Sequence, residues 1–406
     1  MTIGVGGSSS EAELAKLEDM SGAVVSPVQQ AEYKARIQRA QALMKEQGID
    51  VLYANAGTNM LYFTGTRWRA SERMVGVLIP QDGPREYISP VFEIPTLRQY
   101  MQIEGCVHGW EEHESPYRLI ADLLQQRYGE RLLIAVDESA AFFISDGLRQ
   151  AMPAAQLINA ACITAALRMI KSETELALMQ RAKDMTLQVH KAAARILRPG
   201  ISTTEVEQFI HLAHQRVGAP AGSFFVIVLF GEATAYPHGV KNPQTLRQGD
   251  MVLIDTGCQL HDYLSDITRS YVFGEASERQ RQVWNAEKSA QAAAFAMAKI
   301  GNTCASVDLA ARASLEQNGF GPAYKLPGLP HRTGHGIGLD IHEWPYLNSG
   351  DQTVLRPGMC FSNEPMICIP GEFGVRLEDH FYMSESGPRW FTEPSPSIDD
   401  PFGYEN

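Results

Sequence analysis

The sequence predicts two domains: an N-terminal α/β domain, and a second domain of mixed α and β structure that contains an internal repeat. The chain has 406 residues, which exceeds the length at which one hydrophobic core usually stops growing. Helical and strand-like segments alternate in its first part, and this alternation stops near residue 166. Two stretches of similar pattern then follow one another. Length, alternation and repetition together predict this architecture.

Residues 1–28 are rich in Gly and Ser and then acidic, and they are expected to form a mobile arm or a short docking helix. Residues 29–165 form the predicted α/β domain, because apolar strands alternate there with amphipathic helices. The predicted helices are residues 29–48, 96–103 and 116–129, and the predicted strands are residues 49–54, 74–79 and 131–137.

A pair of helix-start signals opens the second domain, predicted over residues 166–406. Ser172 and Glu175 have the S-x-x-E spacing of a capping box, which predicts a long helix that runs to about residue 197. Ser202 and Glu205 repeat the same spacing before the next helix. The boundary between the domains is therefore placed between residues 160 and 170.

The second domain repeats one pattern at a distance. A helix is predicted from Gly200 to residue 218, and another from Gly301 to residue 319. A turn ending in Gly249 precedes one apolar strand, and a turn ending in Gly358 precedes another. Asp255 lies 255 − 249 = 6 residues after its glycine, and Glu364 lies 364 − 358 = 6 residues after its own. Two copies related by a pseudo-twofold axis would bring these carboxylates to equivalent places.

Composition limits the kinds of partner. The net charge is −12 and the pI is about 5.4, which argues against nucleic acids and anionic membranes as partners, because both favour basic protein surfaces. Six cysteines are scattered without a C-x-x-C pair, which indicates a reducing compartment. The N-terminus has no signal-peptide pattern. A cytoplasmic protein with small-molecule and protein partners is expected.

The segment PHRTGHGIGLDIHE, residues 330–343, contains three histidines among closely spaced glycines. They are His331, His335 and His342. Imidazole binds metals or moves protons near neutral pH, and glycine lets the backbone approach a ligand. The alternative explanation is that the glycines form ordinary turns and that the histidines are hydrogen-bonded residues with no role in a site. Carboxylates elsewhere in the chain favour a site.

Two aspartates flank a predicted β-hairpin. Asp255 follows four apolar residues, where a charge is costly to bury without a cation or a donor network. Asp266 lies 266 − 255 = 11 residues later in the segment LSDITRSYVF. The hairpin would bring both carboxylates together, and like charges held together need a cation between them.

Two further carboxylates complete a predicted metal site. Arg376 and Glu378, in VRLED, are two residues apart on a predicted strand and therefore share one of its faces. Glu364 lies in the second copy of the internal repeat, at the position equivalent to Asp255. Oxygen ligands with one imidazole suit Mn²⁺, with Co²⁺ or Zn²⁺ as alternatives. The predicted ligands are Asp255, Asp266, His335, Glu364 and Glu378. Five ligands are enough to bind two metal ions roughly 3.5–4 Å apart, which is the spacing of sites that carry out metal-assisted hydrolysis.

This arrangement, with the motifs DTG, SDITR, GHGIG, NEP and RLED, resembles the pita-bread metallopeptidases. That family includes methionine aminopeptidases, aminopeptidase P and Xaa-Pro dipeptidase, and creatinase shares its fold. The resemblance spans nearly the whole chain and implies an α+β pita-bread domain with two divalent ions. It also implies that Asp266 and Glu378 bridge the ions and that Glu364 acts as both ligand and general base.

The resemblance assigns roles to four more residues. His238, in YPHGV, matches the histidine that steadies the scissile amide, and His342 matches one that contacts the substrate near the cleaved bond. His331 matches a residue lining the proline-side pocket. Arg376 matches an arginine that holds ligand carboxylates in place.

The long N-terminal domain resembles the proline-specific and creatinase-like branches, and the complete ligand set favours a peptidase. The function predicted from this resemblance is cleavage of Xaa-Pro dipeptides by a homodimer or higher homo-oligomer. The alternatives are aminopeptidase P activity on longer Xaa-Pro peptides and a creatinase-like or lyase activity on a small zwitterion. A non-catalytic binding protein is a further alternative, but such relatives are expected to lack a ligand.

One departure from the family concerns the terminal carboxylate of the substrate. Dipeptidases of the family tend to bind it with a basic residue between the last histidine and the EP motif, but residues 343–355 contain no Lys or Arg. Arg356 lies within a predicted turn. Arg67 or Arg69 of a neighbouring subunit is a hypothetical substitute.

Overall fold

The computed structural model describes residues 2–22 and 25–405. It divides into two compact units, Val28–Arg168 and a second unit that combines Met1–Pro27 with Met169–Asn406. The N-terminal arm contains one helix, α1 (Ser10–Lys16), whose first turn is capped by the Ser9 hydroxyl. This arm is part of the second unit.

A six-stranded mixed sheet with helices forms the unit Val28–Arg168. Its elements are α2 (Gln30–Gln47), β1 (Val51–Asn55), α3 (Thr58–Thr64), β2 (Gly76–Pro80), β3 (Glu86–Pro90), α4 (Ile94–Tyr100), β4 (Cys106–Trp110), α5 (Pro116–Tyr128), β5 (Leu133–Val136), α6 (Phe142–Ala151), β6 (Gln156–Asn159) and α7 (Thr164–Arg168). The strand order is β4-β3-β2-β1-β5-β6. All of the predicted strands correspond to β1, β2 and β5, which lie inside the sheet.

The sequence interpretation missed β3 and both edge strands, β4 and β6. Four of the five residues of β4 are at least partly exposed, and none of the four residues of β6 is buried. Strands this short and this exposed lack the continuous apolar run by which a central strand is recognised.

The second unit continues with helices α8 to α11 and the strands that carry the site. Its elements after α1 are α8 (Glu173–Arg195), α9 (Thr203–Arg216), β7 (Ser223–Phe230), β8 (Met251–Leu260), β9 (Tyr263–Leu264), β10 (Ile267–Val272), α10 (Glu278–Met297), α11 (Cys304–Gln317), β11 (Gly334–Gly336), β12 (Glu343–Leu347), β13 (Cys360–Asn363), β14 (Met366–Ile369), β15 (Phe373–Arg376), β16 (Asp379–Ser384) and β17 (Gly387–Trp390). The sheets have the orders β10-β8-β7, with β9 on β8, and β12-β11-β13-β16-β17, and β14 pairs with β15. Both predicted capping boxes are present, at Ser172 and Ser202.

Matching backbone hydrogen bonds confirm the internal repeat. The amide of Gly200 donates to the carbonyl of Leu246 at 2.9 Å, and the amide of Gly301 donates to that of Leu355 at 3.1 Å. The isolated bridge between Ser202 and Thr245 has its equivalent between Thr303 and Val354. The pseudo-twofold organisation predicted from spacing is therefore present in the fold.

The glycine that begins each strand is also equivalent in the two copies. Gly249 has a φ of 86° and Gly358 a φ of 87°, a left-handed conformation that glycine adopts without a Cβ clash. Their amides donate to the carbonyls of Phe273 and Met383, respectively, at 2.8 Å in both cases. Each turn therefore aligns with its neighbour a strand that carries a candidate ligand, Asp255 on β8, or leads to one, Glu364 after β13.

None of the helices within residues 2–22 and 25–405 combines the length and the apolar character that crossing a bilayer requires.

Two buried histidines predict acid sensitivity of the fold. Burial lowers the pKa of both His190 and His214 from 6.5 to about 3. Between pH 6.5 and pH 3 the histidines are protonated in the unfolded chain but remain neutral in the folded chain. The contribution of the two neutral histidines to stability is therefore complete above pH 6.5 and is lost as the pH falls. From pH 6.5 to 5, each histidine is expected to lower the unfolding free energy by about 2 kcal/mol.

Urea unfolding at pH 7 and pH 5 tests this expectation with the variant His214→Gln. The variant should lose less stability on acidification than the wild-type protein, by about 2 kcal/mol. His211→Gln, on the exposed side of the same helix, is the control and should behave as wild type. An unchanged pH dependence in His214→Gln would contradict the prediction.

Candidate active site

The predicted hairpin brings two aspartates into the interior of the second unit. Asp255 lies on β8 opposite Thr268 of β10, and Asp266 immediately precedes β10. Both are buried, with 7% and 5% of their surface exposed. Strand β8 continues beyond Asp255 to Leu260 through pairing with β7 and β9.

His335 lies at the centre of the short strand β11. Its amide donates to the Ser362 hydroxyl at 2.9 Å, and its Nδ1 lies 3.0 Å from the Gly336 carbonyl. Donation from Nδ1 directs Nε2 toward the carboxylates, 3.0 Å from Oε1 of Glu364 and 3.7 Å from Oδ2 of Asp266. In this orientation Nε2 can serve as a ligand to a divalent cation that the carboxylates also bind.

Arg376 and Glu378 do not share one strand, which corrects the sequence interpretation. Arg376 ends β15, and Glu378 lies in the break before β16. The break occurs because Glu378 instead forms a bridge to Thr268 of the other hairpin, donating its amide to the Thr268 carbonyl at 3.1 Å. Glu378 is fully buried.

A metal-ion site fits the chemistry of this cluster. Asp266, His335 and Glu378 each offer a ligand atom, and these atoms lie within 4.8 Å of one another. One oxygen of Asp255, of Asp266 and of Glu378 is buried without a hydrogen-bond partner among the described residues. Buried charged oxygens are costly unless they are paired or bind a metal. The free oxygens and the imidazole therefore match a divalent cation.

The electrostatics of the carboxylates support the same conclusion. Burial raises the pKa of Asp266 well above its usual range, and the charges of Glu378, Asp255 and Glu364 raise it further. Burial and the charges of Glu364 and Asp255 likewise raise the pKa of Glu378. Carboxylates that repel one another in a buried space gain stability from a bound cation.

Glu364 differs from the other carboxylates. Burial acts to raise its pKa, but the hydrogen bond and charge of His335, together with the charges of His331 and Arg376, place the pKa below its usual range. Its Oε1 also accepts a hydrogen bond from Ser362 at 3.1 Å. Glu364 therefore remains ionised near neutral pH.

Arg376 connects three parts of the site. Its Nη2 donates to the carboxylate of Asp255, its Nε donates to the Thr268 hydroxyl at 3.1 Å, and its Nη1 donates to the Pro237 carbonyl at 3.2 Å. The Thr268 hydroxyl in turn donates to Oε2 of Glu378 at 2.6 Å. One buried guanidinium thus orients Asp255 directly, Glu378 through the Thr268 hydroxyl, and the loop that carries His238.

The three remaining predicted histidines occupy different environments. The His342 ring contacts the His335 ring edge-on, with centroids 4.2 Å apart. Partial burial and the charges of His335 and Arg332 lower the His342 pKa to about 4, so this ring is neutral at pH 7. His238 is exposed and has no hydrogen bond among the described residues, although its charge contributes to lowering the pKa values of His331 and His342.

His331 is held by hydrogen bonds of both its ring and its backbone carbonyl. Nδ1 lies 2.7 Å from the Arg332 carbonyl, to which it donates, and Nε2 is buried without a partner among the described residues. Arg312 donates to the His331 carbonyl at 2.5 Å and pairs with Asp308 at 2.8 Å. Asp308 also accepts hydrogen bonds from Thr333.

The buried pair of Arg312 and Asp308 provides a stability prediction. Arg312→Met leaves Asp308 without its counter-charge and removes a donor from the His331 carbonyl. The unfolding free energy is expected to fall by about 3–5 kcal/mol. Arg279→Met, which breaks a half-exposed ion pair with Glu372, should cost less than about 1 kcal/mol. Urea unfolding of both variants checks the prediction, and equal losses would contradict it.

Sequence reasoning missed the residues that support the site. Lys171 and Glu343 form a buried ion pair at 2.8 Å, and Glu343 also accepts hydrogen bonds from the amides of Leu339 and Asp340. This pair fixes the segment that leads to His342. Thr268 and Ser362 were also missed, and only their positions within the SDITR and SNEP segments could have indicated them.

Two family models match the chain. One, described as metallopeptidase family M24, matches residues 177–385, and the other, described as the creatinase/prolidase N-terminal domain, matches residues 36–170. The second ends where the structure divides the chain, near residue 168. The first contains all the ligand candidates.

Known proteins are similar over most of the chain. A putative dipeptidase, YkvY, from Bacillus subtilis is 32% identical over 356 residues, which cover 87% of this chain and 96% of the relative. Among solved structures, dipeptidase PepE from Mycobacterium ulcerans has a TM-score of 0.84 and 31% identity, covering 91% of this chain and 97% of that one. A prolidase from Thermococcus sibiricus has a TM-score of 0.81 and 28% identity, covering 89% and 97%.

Proposed function

The chain belongs to metallopeptidase family M24, and from that membership we propose that it hydrolyses the imide bond of Xaa-Pro dipeptides with two divalent metal ions. The resemblance predicted from the motifs is confirmed, as is the fold: a creatinase/prolidase N-terminal domain followed by a pita-bread catalytic domain. The protein is therefore a metal-dependent peptidase of the dipeptidase and aminopeptidase group. The proposal concerns two further properties, the substrate and the number of bound metal ions.

The observation that carries the proposal is the buried group of Asp266, His335 and Glu378, whose ligand atoms lie within 4.8 Å of one another. Asp255 and the neighbouring Glu364, which lies 3.0 Å from Nε2 of His335, complete the proposed set of five ligands. Mn²⁺ suits the set best, with Co²⁺ or Zn²⁺ as alternatives. When bound, such ions polarise the scissile carbonyl and make a nucleophile available at neutral pH.

The residues of the chain complete the proposed chemistry. Glu364, ionised at neutral pH, accepts the proton of the attacking water as general base. The neutral ring of His342 and the exposed ring of His238 contact the scissile group, and His331 lines the proline-side pocket. Arg376 is a positioning residue, because it acts on the carboxylate of Asp255 rather than on the substrate.

Small Xaa-Pro peptides are supported as substrates by the names of the relatives. They include a putative dipeptidase, a prolidase and an Xaa-Pro dipeptidase from Lactobacillus delbrueckii, which is 29% identical over 365 residues. The bond before proline has no N–H, and its hydrolysis needs a site that does not depend on that donor. A homodimer or higher oligomer and a cytoplasmic location remain predictions from the sequence.

Hydrolysis of Ala-Pro, Ala-Pro-Ala and Ala-Ala tests the function, after EDTA treatment and again after Mn²⁺ is restored. The expected result is metal-restored cleavage of Ala-Pro with little cleavage of the other two. Preference for Ala-Pro-Ala would favour aminopeptidase P instead. Failure to cleave either proline peptide, in protein that elemental analysis shows to hold two metals per chain, would refute the proposal.

A further inference from the structure

Arg332 is a partly exposed residue that precedes β11, between two histidines of the candidate site. Its guanidinium has no hydrogen bond or ion pair among the described residues, and it lies over the Tyr346 ring, 4.3 Å from the centroid. Tyr346 is directly opposite His335 in the pairing of β12 with β11. Residues directly opposite one another in antiparallel strands share a face of the sheet. Arg332 is therefore held on the face that bears His335.

We propose that Arg332 binds the terminal carboxylate of the dipeptide substrate and thereby limits the enzyme to dipeptides. This inference rests on the proposed function and concerns its specificity. An Xaa-Pro dipeptide ends with the proline that follows the cleaved bond, so its carboxylate lies one residue from the reacting carbonyl. A carboxylate so close to the buried site requires a cation that has donors to spare.

Other cations around the histidine segment have their donors engaged. Arg376 donates to Asp255, Thr268 and Pro237. Arg312 is bound to Asp308 and to backbone carbonyls, including that of His331.

The two lysines of this region are unsuitable for a different reason. Lys171 pairs with Glu343 in the interior, where both side chains are at least 96% shielded from solvent. Lys183 is fully buried below the Phe391 ring. Arg332 alone, among these five cations, combines exposure with a guanidinium that has no partner among the described residues.

The stacking on Tyr346 suits Arg332 to this role. A guanidinium that lies over an aromatic ring keeps N–H donors available at its edge, where they can bind a carboxylate with two parallel hydrogen bonds. The ring also restricts the side chain before the substrate arrives, which lowers the entropic cost of binding. The charge of Arg332 also lowers the pKa of His342, which agrees with a location beside the reacting groups.

The test compares Ala-Pro with Ala-Pro-amide, which lacks the carboxylate charge, in metal-loaded wild type, Arg332→Met and Arg332→Lys. Wild type is expected to prefer the free acid. Arg332→Met should raise the KM for Ala-Pro by about 10- to 100-fold, as expected for a lost charged hydrogen bond. Its kcat and its KM for the amide should change little. Arg332→Lys should restore part of the preference for the free acid, because lysine keeps the positive charge but cannot form two parallel hydrogen bonds with one carboxylate.

Two further variants sharpen the comparison. Tyr346→Leu removes the stacking surface and should give a KM for Ala-Pro between those of wild type and Arg332→Met. Arg356→Met is the matched control, because this exposed arginine lies beyond β12 and its guanidinium hydrogen-bonds, among the described residues, only to the Met169 sulfur. Thermal unfolding and metal content, equal to those of wild type, should show that each variant is folded and loaded.

Two results would overturn the inference while leaving the proposed function intact. One is a wild-type enzyme that cleaves Ala-Pro and its amide with equal KM. The other is an Arg332→Met variant that keeps the wild-type preference, and loss of that preference in Arg67→Ala or Arg69→Ala would then identify the cation. A loaded wild type that cleaves neither proline compound would instead refute the proposed function, and the inference with it.

Discussion

Asp266→Asn is expected to lower kcat on Ala-Pro by at least about 1000-fold and to reduce the metal content of the purified protein. The reason is geometric, because Asp266 offers an oxygen to the same small space as His335 and Glu378. An amide supplies neither the negative charge nor the second anionic oxygen that the proposed bridging role of Asp266 would need. Steady-state kinetics at saturating Mn²⁺ and elemental analysis measure both effects.

The same variant should respond differently to metal removal. After EDTA treatment, Asp266→Asn is expected to unfold at the same temperature as wild type or higher, since it removes one of several carboxylates that repel one another. Wild type should gain stability when metal is restored, and the variant should gain little. Asp122→Asn, on an exposed face of α5, is the control. Full activity or wild-type metal content in Asp266→Asn would contradict the assignment.

Arg376→Met is expected to have the second-largest effect, and it should act on both stability and metal binding. The variant leaves Asp255 buried without its counter-charge, at a cost of about 3–5 kcal/mol in unfolding free energy. It also removes the donors that orient Asp255 and Thr268, so the affinity for Mn²⁺ should fall by about 10- to 100-fold. Urea unfolding and calorimetric titration with Mn²⁺ measure the two losses.

Two other substitutions separate charge from geometry at this position. Arg376→Lys keeps the positive charge but cannot reach Asp255, Thr268 and the Pro237 carbonyl together. It should therefore recover more of the stability than of the metal affinity. Arg389→Met, at the exposed position of strand β17, should change neither the stability nor the Mn²⁺ affinity. Wild-type Mn²⁺ affinity in Arg376→Met would show that the guanidinium does not orient the ligands.

The sequence by itself determined the local features of this protein. Capping boxes at Ser172 and Ser202 began helices where predicted, because their hydrogen bonds join residues only three positions apart. The internal repeat was visible because equal spacings after Gly249 and Gly358 reflect equivalent turns. Asp255 was identified as a candidate ligand because a carboxylate that follows an apolar strand conflicts with its surroundings unless a cation or a donor network is present.

Only the tertiary structure decided which distant residues support those ligands. Thr268 bonds to Glu378, Lys171 pairs with Glu343, and neither contact leaves a periodic signal in the chain. The place of Arg332 depends on the register of β11 with β12, which sets Tyr346 opposite His335. Helix caps and strand periods are local and can be inferred from neighbouring residues, whereas strand register and buried ion pairs form only when remote segments pack together.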